Sequence, residues 1–586
     1  MTRIAEDGRF TTHDGVELFY RRWPATAERR RGVVALFHRG HEHGGRMAHL
    51  VDELDLPDFD VYAWDARGHG LSPGARGHSP SFSHSVRDVE SFVSHIERAH
   101  GVERADLAVV AQSVGAVLAA TWAHDYAPRI RALTLAAPAF SVKLYVPFAR
   151  PGLKLLRRLR GNFDVNSYVK SRFLTHDPAR RASFDADPLI SRAISVDILL
   201  GLYEAAERVT ADARAITIPT QVLIAGADFV VRHTTQHEFF VGLGSRTKER
   251  RIYPGLYHDL LGEGDRGLVV ADIRRFLLDR FAAPLETINL RDADRIGYTR
   301  DEADRLATPL PALSPSGLWW SVYRGSLKMG GLLSEGIKLG HATGFDSGST
   351  LDYVYRDTAN GVGAIGRAID RAYLDAIGWR GIRRRKLNVE ELIRFALARL
   401  RAAGIPARVV DIAAGHGRYV LEALTADVER PESILLRDYS ELNVAAGSKL
   451  IAEKGLADIV RFERGNAFDG DDLAALSPRP TLAIVSGLYE LFPNNALVAG
   501  SLGGLGRAVP PGGYLVYTGQ PWHPQIEMIA RALTSHREGQ AWVMRRRTRA
   551  EMDQLVAAAG FRKIEQRIDP WGIFTVSLAV RELEQA

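Results

Sequence analysis

Short apolar segments rich in β-branched residues alternate twice with helix-length stretches, first over residues 30–280 and again from about residue 408 onward. This alternation is typical of parallel β-sheets whose strands are joined by crossover helices. The chain has 586 residues, more than one hydrophobic core usually organises. The sequence therefore predicts two α/β domains in tandem.

A proline-rich stretch precedes the second alternation. Three prolines fall between residues 309 and 315, which is typical of a linker. A glycine-rich stretch and then an aromatic one follow it, and we expect them to fold as a helical lid. The predicted segments are a first α/β domain (1–283), a linker (284–317), the lid (318–388) and a second α/β domain (389–586).

Composition excludes several classes of protein. Cysteine is absent, so disulfides, thiolate metal sites and a cysteine nucleophile are excluded. The first ten residues carry charges where an export signal needs an apolar run, and no apolar stretch is long enough to span a membrane. The net charge of +6 is small for this length, so we predict no nucleic-acid partner. We expect a cytoplasmic protein.

A tight strand–turn–helix sequence around Ser113 is the first candidate for catalysis. Ala111 and Gly115 flank the serine, and a nucleophile elbow requires such small neighbours. Taken alone, this motif also fits an ordinary turn with an incidental serine. Asp228 and His258 then follow apolar strands in the chain order Ser, Asp, His. That order favours a nucleophile, an orienting acid and a general base.

Two further segments resemble α/β-hydrolases of the monoacylglycerol lipase branch. Residues 38–46, HRGHEHGGR, are similar to the HGxxEHxxR oxyanion loop of that branch, and residues 64–72 are similar to its DxxGHGxS segment. The resemblance implies a helical cap over about 140–215 and an oxyanion hole from the backbone amides of Gly40 and Val114. It also implies a monoacylglycerol or lysophospholipid ester as substrate.

The histidines of the oxyanion loop have a second interpretation. His38, His41 and His43, with Glu42, offer the imidazole and carboxylate groups that bind zinc. Because they lack a rigid helical spacing, we favour the oxyanion loop and predict no metal. Arg39 stands where the family usually has glycine, and we expect it to narrow or charge the pocket.

The cap segment carries a concentrated positive charge. Residues 143–172 contain eight basic residues and one acid, interleaved with apolar side chains. A segment of this kind can lie on an anionic membrane surface. A solvated cap helix is the simpler interpretation, and peripheral contact with the inner face of the membrane is the alternative.

A glycine-rich turn opens the second alternation. Asp411, Ala413, Gly415 and Gly417 follow an apolar strand and precede a helix. The GxGxxG spacing of dinucleotide-binding folds is missing. The segment instead resembles the DxGxGxG motif of class I S-adenosylmethionine-dependent methyltransferases, with Ala413 at the first glycine. The resemblance implies a Rossmann-like domain with S-adenosylmethionine as cofactor.

The residues downstream occur in the order that this resemblance implies. Asp438 ends the next strand, where an acid would accept both ribose hydroxyls. Asn466 and Ala467 follow the third strand and are expected to contact adenine. Ser486 ends the fourth strand, near the expected methyl acceptor. Residues 344–355 are similar to a GFDSGxxLDYVY stretch of a putative bacterial methyltransferase family.

The sequence as a whole predicts a bifunctional enzyme. A serine ester hydrolase acting on a lipid or small-molecule ester would be fused to a methyltransferase whose acceptor is unknown. The alternative is that one half has lost catalysis and serves as a binding or scaffold domain. Arg39, Ala111 and Ala413 depart from the family patterns and keep that alternative open.

Overall fold

The computed structural model describes residues 3–143, 145–146, 148–167, 169–424, 430–537 and 539–583. The chain divides into two compact units, residues 1–288 and residues 289–586. No helix among the described residues is long and apolar enough to cross a membrane.

The first unit is built on one large sheet. Its strands are β1 (Glu6–Thr11), β2 (Glu17–Trp23), β3 (Gly32–Phe37), β4 (Phe59–Trp64), β5 (Leu107–Gln112), β6 (Ala132–Ala136), β9 (Thr220–Ala225) and β10 (Lys248–Tyr253), with a separate hairpin of β7 (Asp164–Asn166) and β8 (Ala193–Ser195). The sheet order is β1-β2-β4-β3-β5-β6-β9-β10, and all pairs from β4 to β10 are parallel. Strands β3, β5 and β9 are buried along their whole length, as expected of a parallel sheet covered on both faces.

Helices surround this sheet and form a cap. They are α1 (His49–Glu53), α2 (Phe82–His100), α3 (Val114–Tyr126), α4 (Ala149–Arg160), α5 (Pro178–Ala186), α6 (Val196–Ala211), α7 (His233–Gly242) and α8 (Gly267–Ala282). Helices α4, α5 and α6, with the β7–β8 hairpin, lie in the chain between β6 and β9. This is the place where the sequence predicts a cap.

The second unit is a seven-stranded sheet. Its strands are β11 (Arg408–Asp411), β12 (Ser433–Asp438), β13 (Val460–Arg464), β14 (Leu482–Val485), β15 (Tyr514–Gly519), β16 (Phe561–Ile568) and β17 (Thr575–Arg581). The order is β13-β12-β11-β14-β15-β17-β16; the pairs β15–β17 and β17–β16 are antiparallel, and the other pairs are parallel. The order reverses beside β11, so the loops after β11 and β14 meet at a topological switch point, where open α/β sheets bind ligands.

Twelve helices among the described residues complete the second unit. They are α9 (Tyr298–Ala307), α10 (Pro315–Gly330), α11 (Glu335–Thr343), α12 (Gly348–Arg356), α13 (Gly363–Leu374), α14 (Ile377–Ala402), α15 (Arg418–Ala423), α16 (Glu441–Glu453), α17 (Gly470–Ala474), α18 (Asn495–Ala508), α19 (Ile526–Ala532) and α20 (Arg549–Ala558). One sheet face packs on α14 and the other on α18 and α20.

Two predicted boundaries differ from the structure. The predicted linker 284–317 contains α9, and most of it belongs to the second unit. Asp294 accepts the backbone N–H of Asn495 at 2.8 Å, and Arg545 donates to the Thr299 hydroxyl at 3.0 Å. The predicted lid boundary at residue 388 falls inside α14, because one buried apolar stripe continues through that helix.

Candidate functional site

Ser113 occupies a strained turn between β5 and α3. Its φ of 56° and ψ of −115° lie in a region that residues with a side chain rarely adopt. Such strain is retained where the surrounding structure imposes it, frequently at functional sites. The turn also explains Gly115, since a Cβ there would lie 2.3 Å from the carbonyl oxygen of His38. The local sequence therefore folds as the predicted nucleophile elbow.

The structure brings the three predicted catalytic residues together. Ser113 Oγ lies 2.7 Å from His258 Nε2, and His258 Nδ1 lies 2.7 Å from Asp228 Oδ2. All three side chains are buried. The other carboxylate oxygen, Oδ1, accepts the backbone N–H groups of Val230 and Val231 at 2.6 and 3.0 Å.

The charge state of Asp228 fixes the tautomer of the histidine. Burial alone would raise the pKa of Asp228, but His258 and the two backbone donors together hold it below its usual value. An ionised carboxylate only accepts hydrogen bonds, so the proton lies on Nδ1 of His258. Nε2 is then free to accept the proton of Ser113, as a general base must.

His38 orients the predicted oxyanion loop. Burial lowers the pKa of His38 to about 4, so its ring is neutral. Its Nε2 accepts the Ala66 N–H at 3.0 Å, and its Nδ1–H therefore donates to the Arg39 carbonyl at 2.7 Å. In a trans peptide the carbonyl and the next N–H point in opposite directions. The Gly40 N–H thus points away from His38, and a Cβ at Gly40 would lie 3.0 Å from the Val114 side chain.

A buried network of charges supports the same loop. Glu42 accepts from Arg39 at 2.6 Å and from Arg46 at 2.7 Å. Asp259, beside His258 in the chain, accepts from Arg180 at 3.2 Å and lies 3.8 Å from Arg39. The predicted extra charge of Arg39 is therefore compensated inside the protein. With its carboxylate bound to two guanidinium groups, Glu42 does not fit the metal-cluster interpretation.

Asp259 was missed by the sequence analysis. Its Oδ1 accepts from the Gln112 side chain at 3.0 Å, which joins the residue before the nucleophile to the residue after the histidine. The sequence does contain one signal for this contact. Gln112 precedes the predicted nucleophile and Asp259 follows the predicted base, and both residues are polar.

Ser113 and His258 open onto a large apolar cavity. The cavity has a volume of about 680 Å³, and Gly40 and Val114 also line it. Its remaining wall comes mainly from the cap, including Leu153, Leu156, Val165, Leu199 and Leu202. Apolar walls around a few converging polar groups are typical of a small-molecule site.

The basic cap helix α4 is partly neutralised by its own unit. Arg150 pairs with Glu207, Lys154 with Glu204, and Arg157 with Asp197, all three acids lying on α6. Arg158 and Arg160 are exposed, and the apolar side chains of Phe148, Leu155 and Leu159 are also more than half exposed. The exposed basic surface of α4 is therefore smaller than the sequence predicts, and exposed apolar side chains lie beside it.

In the second unit, the glycine-rich turn follows β11 as predicted. Gly415 and Gly417 adopt positive φ angles of 58° and 74°, which favour glycine. Asp411 Oδ1 accepts the N–H of Ala413 at 3.1 Å. Its Oδ2 is buried beside Tyr419 and makes no well-formed hydrogen bond to the described residues. Burial raises the pKa of Asp411 to about 7.

The predicted ribose-binding acid already has protein partners. Asp438 Oδ2 accepts the Gly415 N–H at 2.9 Å, while Oδ1 accepts from Ser440 N–H and from the Asn443 side chain at 2.9 and 3.0 Å. A carboxylate has about four acceptor positions, so one is left. Asp438 therefore contacts the glycine-rich turn, and accepting two ribose hydroxyls, as predicted, would require one of these bonds to move.

The remaining predicted cofactor residues lie at the same edge of the sheet. Asn466 and Ala467 follow β13, where the Gly465 N–H donates to the Asp438 carbonyl at 3.0 Å. The Asn466 side chain accepts the N–H of Phe468 at 3.0 Å, and Ala467 is buried. Ser486 is buried directly after β14.

Helix α12 covers the glycine-rich turn. A Cβ on Gly415 would lie 3.7 Å from the Cα of Gly348, the first residue of α12. Asp352 on the same helix accepts from Arg418 at 2.6 Å, and His416 lies 3.7 Å from its carboxylate. The structure thus places part of the predicted lid against the predicted cofactor turn.

Comparison with known proteins gives a separate family match for each half of the chain. A family described as "Putative methyltransferase" matches residues 273–581, and one described as "Serine aminopeptidase, S33" matches residues 28–265. The "Uncharacterized protein YnbC" of Escherichia coli K12 is 56% identical over 580 residues, covering 99% of each chain. The "Monoacylglycerol lipase" of Mycolicibacterium smegmatis is 27% identical over 266 residues, covering 45% of this chain and 94% of that protein.

One solved structure similar to this chain is the Paleococcus ferrophilus monoacylglycerol lipase. It is 23% identical, with a TM-score of 0.40, and the match covers 47% of this chain and 99% of that one.

The fold and the family matches define a hydrolase domain followed by a methyltransferase-type domain. The chain belongs to the putative methyltransferase family, and its first half carries the serine aminopeptidase-type hydrolase domain. The predicted fold class, an α/β-hydrolase domain linked to a Rossmann-like methyltransferase domain, is confirmed.

Proposed function

We propose that the chain is a bifunctional enzyme that hydrolyses an ester through Ser113 and transfers a methyl group from S-adenosylmethionine. The observation that carries the hydrolase half is the buried array of Ser113, His258 and Asp228, with both hydrogen bonds at 2.7 Å. The strained turn at Ser113 gives further support, because backbone strain of this kind is concentrated at functional sites.

The geometry supports hydrolysis in two acyl-transfer steps. His258 Nε2 takes the proton of Ser113 as Oγ attacks the ester carbonyl, and Asp228 stabilises the imidazolium that forms. The N–H groups of Gly40 and Val114 stabilise the negative charge on the carbonyl oxygen. His258 then returns the proton to the leaving alcohol. Water repeats the sequence on the acyl-Ser113 intermediate and releases the acid.

The cap-lined cavity supports a substrate with an apolar acyl chain. Its volume of about 680 Å³ lies within the range of small-molecule sites, about 300–1,000 Å³, and its wall is mainly apolar. A similar protein is named monoacylglycerol lipase, which is consistent with a lipid ester. We expect kcat/KM for p-nitrophenyl esters to rise from acetate to decanoate. A preference for acetate would contradict a lipid substrate.

The methyltransferase half is supported by the site after β11. The carboxyl of Asp411 is buried and one of its oxygens lacks a good partner, so a cationic group of a ligand would fit there. Gly415 and Gly417 leave room beside the backbone, and Asp438 has one acceptor position left. S-adenosylmethionine, when bound, supplies an electrophilic methyl group. Calorimetric titration with its demethylated product S-adenosylhomocysteine tests this half, and absence of binding to the folded protein would contradict it.

The membrane proposal concerns the cap. The exposed leucines of α4 and the unshielded Arg158 and Arg160 form one surface beside a cavity suited to a lipid. We propose a cytoplasmic protein that contacts the inner face of an anionic membrane through this helix.

A further inference from the structure

A second apolar cavity lies in the second unit, and its wall includes none of the predicted cofactor residues. The free space between its wall atoms is about 640 Å³ when the part open to solvent is included. Trp379, Trp542, Phe574, Met528 and Met544 supply much of its apolar wall. The rings of Trp379 and Trp542 are stacked, with centroids 6.5 Å apart. This wall suits a flat, apolar molecule.

The cavity lies next to the predicted methyl-donor turn. Gly487 in its wall follows Ser486 directly. Leu351, also in the wall, is three residues after Gly348 on α12, which is less than one helical turn. Since Gly348 covers Gly415, α12 contacts the turn at its first residue and the cavity at its fourth.

Three buried polar groups in the cavity wall lack hydrogen-bond partners among the described residues. They are the Nε1 donor of Trp542, the Nε donor of Arg385 and the Oε2 acceptor of Glu490. Each of these residues is more than nine-tenths buried. A buried polar group without a partner is destabilising, so such a cluster fits a ligand that supplies the missing hydrogen bonds.

The charges in the wall restrict the polar end of that ligand. Arg385 Nη1 and Glu490 Oε1 lie 3.8 Å apart, so the pair is neutral as a whole. A carboxylate would be repelled by Glu490, and an ammonium by Arg385. A hydroxyl both donates and accepts at one atom, so it satisfies Glu490 and Arg385 together.

His523 adds a further donor. Burial lowers its pKa to about 4, so the ring is neutral. Its Nδ1 accepts the Gln525 N–H at 3.0 Å, which leaves the proton on Nε2. A Cβ on Gly378 in the cavity wall would lie 3.0 Å from Nε2.

We infer that this cavity binds the methyl acceptor and that the acceptor is a neutral aromatic alcohol of the phenol type. This rests on the proposed methyltransferase function. The apolar wall holds the ring, and Glu490 holds the hydroxyl proton. In the transfer, the hydroxyl oxygen bonds to the methyl carbon as the carbon–sulfur bond of the sulfonium donor breaks with its electron pair to sulfur. The O–H proton passes to Glu490, which becomes a neutral acid.

Fluorine NMR of the full chain labelled with 5-fluorotryptophan tests the inference by binding alone. The resonances of Trp379 and Trp542 are assigned with Trp379→Phe and Trp542→Phe, and Trp64 and Trp122 of the first unit are the internal controls. The probes are 2-naphthol, its methyl ether 2-methoxynaphthalene, and 2-naphthoate. We expect 2-naphthol to shift Trp379 and Trp542 but not the controls.

The methyl ether and the carboxylate should bind at least about tenfold more weakly than 2-naphthol. Glu490→Gln should reduce the preference for 2-naphthol over its ether about fivefold. Equal binding of all three probes, or no shift at Trp379 and Trp542, overturns the inference. The comparison of probes in the wild-type chain decides the matter even where Glu490→Gln does not fold.

S-adenosylhomocysteine binding separates this inference from the proposed function. Binding of S-adenosylhomocysteine without 2-naphthol at Trp379 and Trp542 leaves the methyltransferase and removes the phenol inference. Binding of 2-naphthol there without S-adenosylhomocysteine removes the methyltransferase, and with it the acceptor role of the cavity.

Discussion

Replacing Asp228 with asparagine tests the two proposed roles of this carboxylate, its charge and its control of the His258 tautomer. The asparagine would keep the volume of the side chain, and its carbonyl could still accept from Val230 and Val231. The substitution removes the negative charge 2.7 Å from His258 Nδ1. It also allows the amide to donate to Nδ1, which would move the ring proton to Nε2 and stop that atom from accepting the proton of Ser113.

The expected loss follows from the distance and the burial. At an effective dielectric constant of about 20, two opposite charges about 4 Å apart attract each other by about 4 kcal/mol. At 2.7 Å, the distance between Asp228 Oδ2 and His258 Nδ1, the attraction is about 6 kcal/mol. This attraction exists only once the imidazolium has formed, so it stabilises the transition state and not the resting enzyme. Its removal should lower kcat/KM by about 10³- to 10⁴-fold.

Hydrolysis of p-nitrophenyl butyrate measures this loss, with Ser113→Ala giving the background rate. Asp272→Asn is the control, because Asp272 is a partly exposed acid of the first unit that also accepts a side-chain hydrogen bond, from Tyr253 at 2.9 Å. The control should stay within about threefold of wild type. If Asp228→Asn retains more than a tenth of the wild-type rate, the proposed role of Asp228 is refuted.

Three further predictions concern the other surfaces and sites. Asp438→Ala should weaken S-adenosylmethionine binding, measured by calorimetry, about ten- to a hundredfold. The control Asp458→Ala, which removes an exposed acid of the same unit, should leave the affinity unchanged. Equal affinities of the two variants would reject Asp438 as a ligand of S-adenosylmethionine. If α4 contacts anionic lipid, binding to phosphatidylglycerol vesicles should weaken as the salt concentration rises. The double variant Arg158→Gln, Arg160→Gln should lose this salt dependence. Wild-type binding that does not change with salt would contradict the proposal. The pKa of Asp411 is about 7 in the folded protein and about 4 in an unfolded chain. Between these pH values, the folded state therefore binds up to one proton more than the unfolded state. Binding of this proton stabilises the folded state at low pH, and that contribution is lost as the pH rises from 4 to 7. Asparagine does not titrate, so the Asp411→Asn variant does not lose this contribution. The difference in free energy of unfolding between the variant and the wild type, measured by urea titration, should therefore increase across that window by at most about 1.4 kcal/mol per pH unit. No increase would contradict the raised pKa.

The candidate hydrolase site could be predicted because its parts lie in local motifs. Ser113, Asp228 and His258 each follow a strand, and the carboxyl ends of parallel strands meet at one edge of a sheet. The charge network around Glu42 and Asp259 could not be predicted in the same way. Its partners come from distant segments such as Arg180, and a single sequence does not show which charges are paired when they are buried.

The second unit shows a similar limit. The glycine-rich turn was predicted from spacing, and its positive φ angles are a local property. The linker was predicted from its prolines, yet Asp294 and Thr299 bond to residues some 200 positions away. The methyl acceptor was expected near Ser486, but the aromatic wall of the second cavity was not predicted, because Trp379, Glu490 and Trp542 meet only in the folded chain.

Native mass spectrometry tests the central claim, two chemistries on one chain, in a single experiment. The full chain is treated with a fluorophosphonate and then mixed with S-adenosylhomocysteine. The account predicts one covalent adduct per chain, absent in Ser113→Ala, together with one non-covalently bound S-adenosylhomocysteine in both proteins. A folded chain without the adduct, an adduct that persists in Ser113→Ala, or a chain that retains no S-adenosylhomocysteine would contradict it.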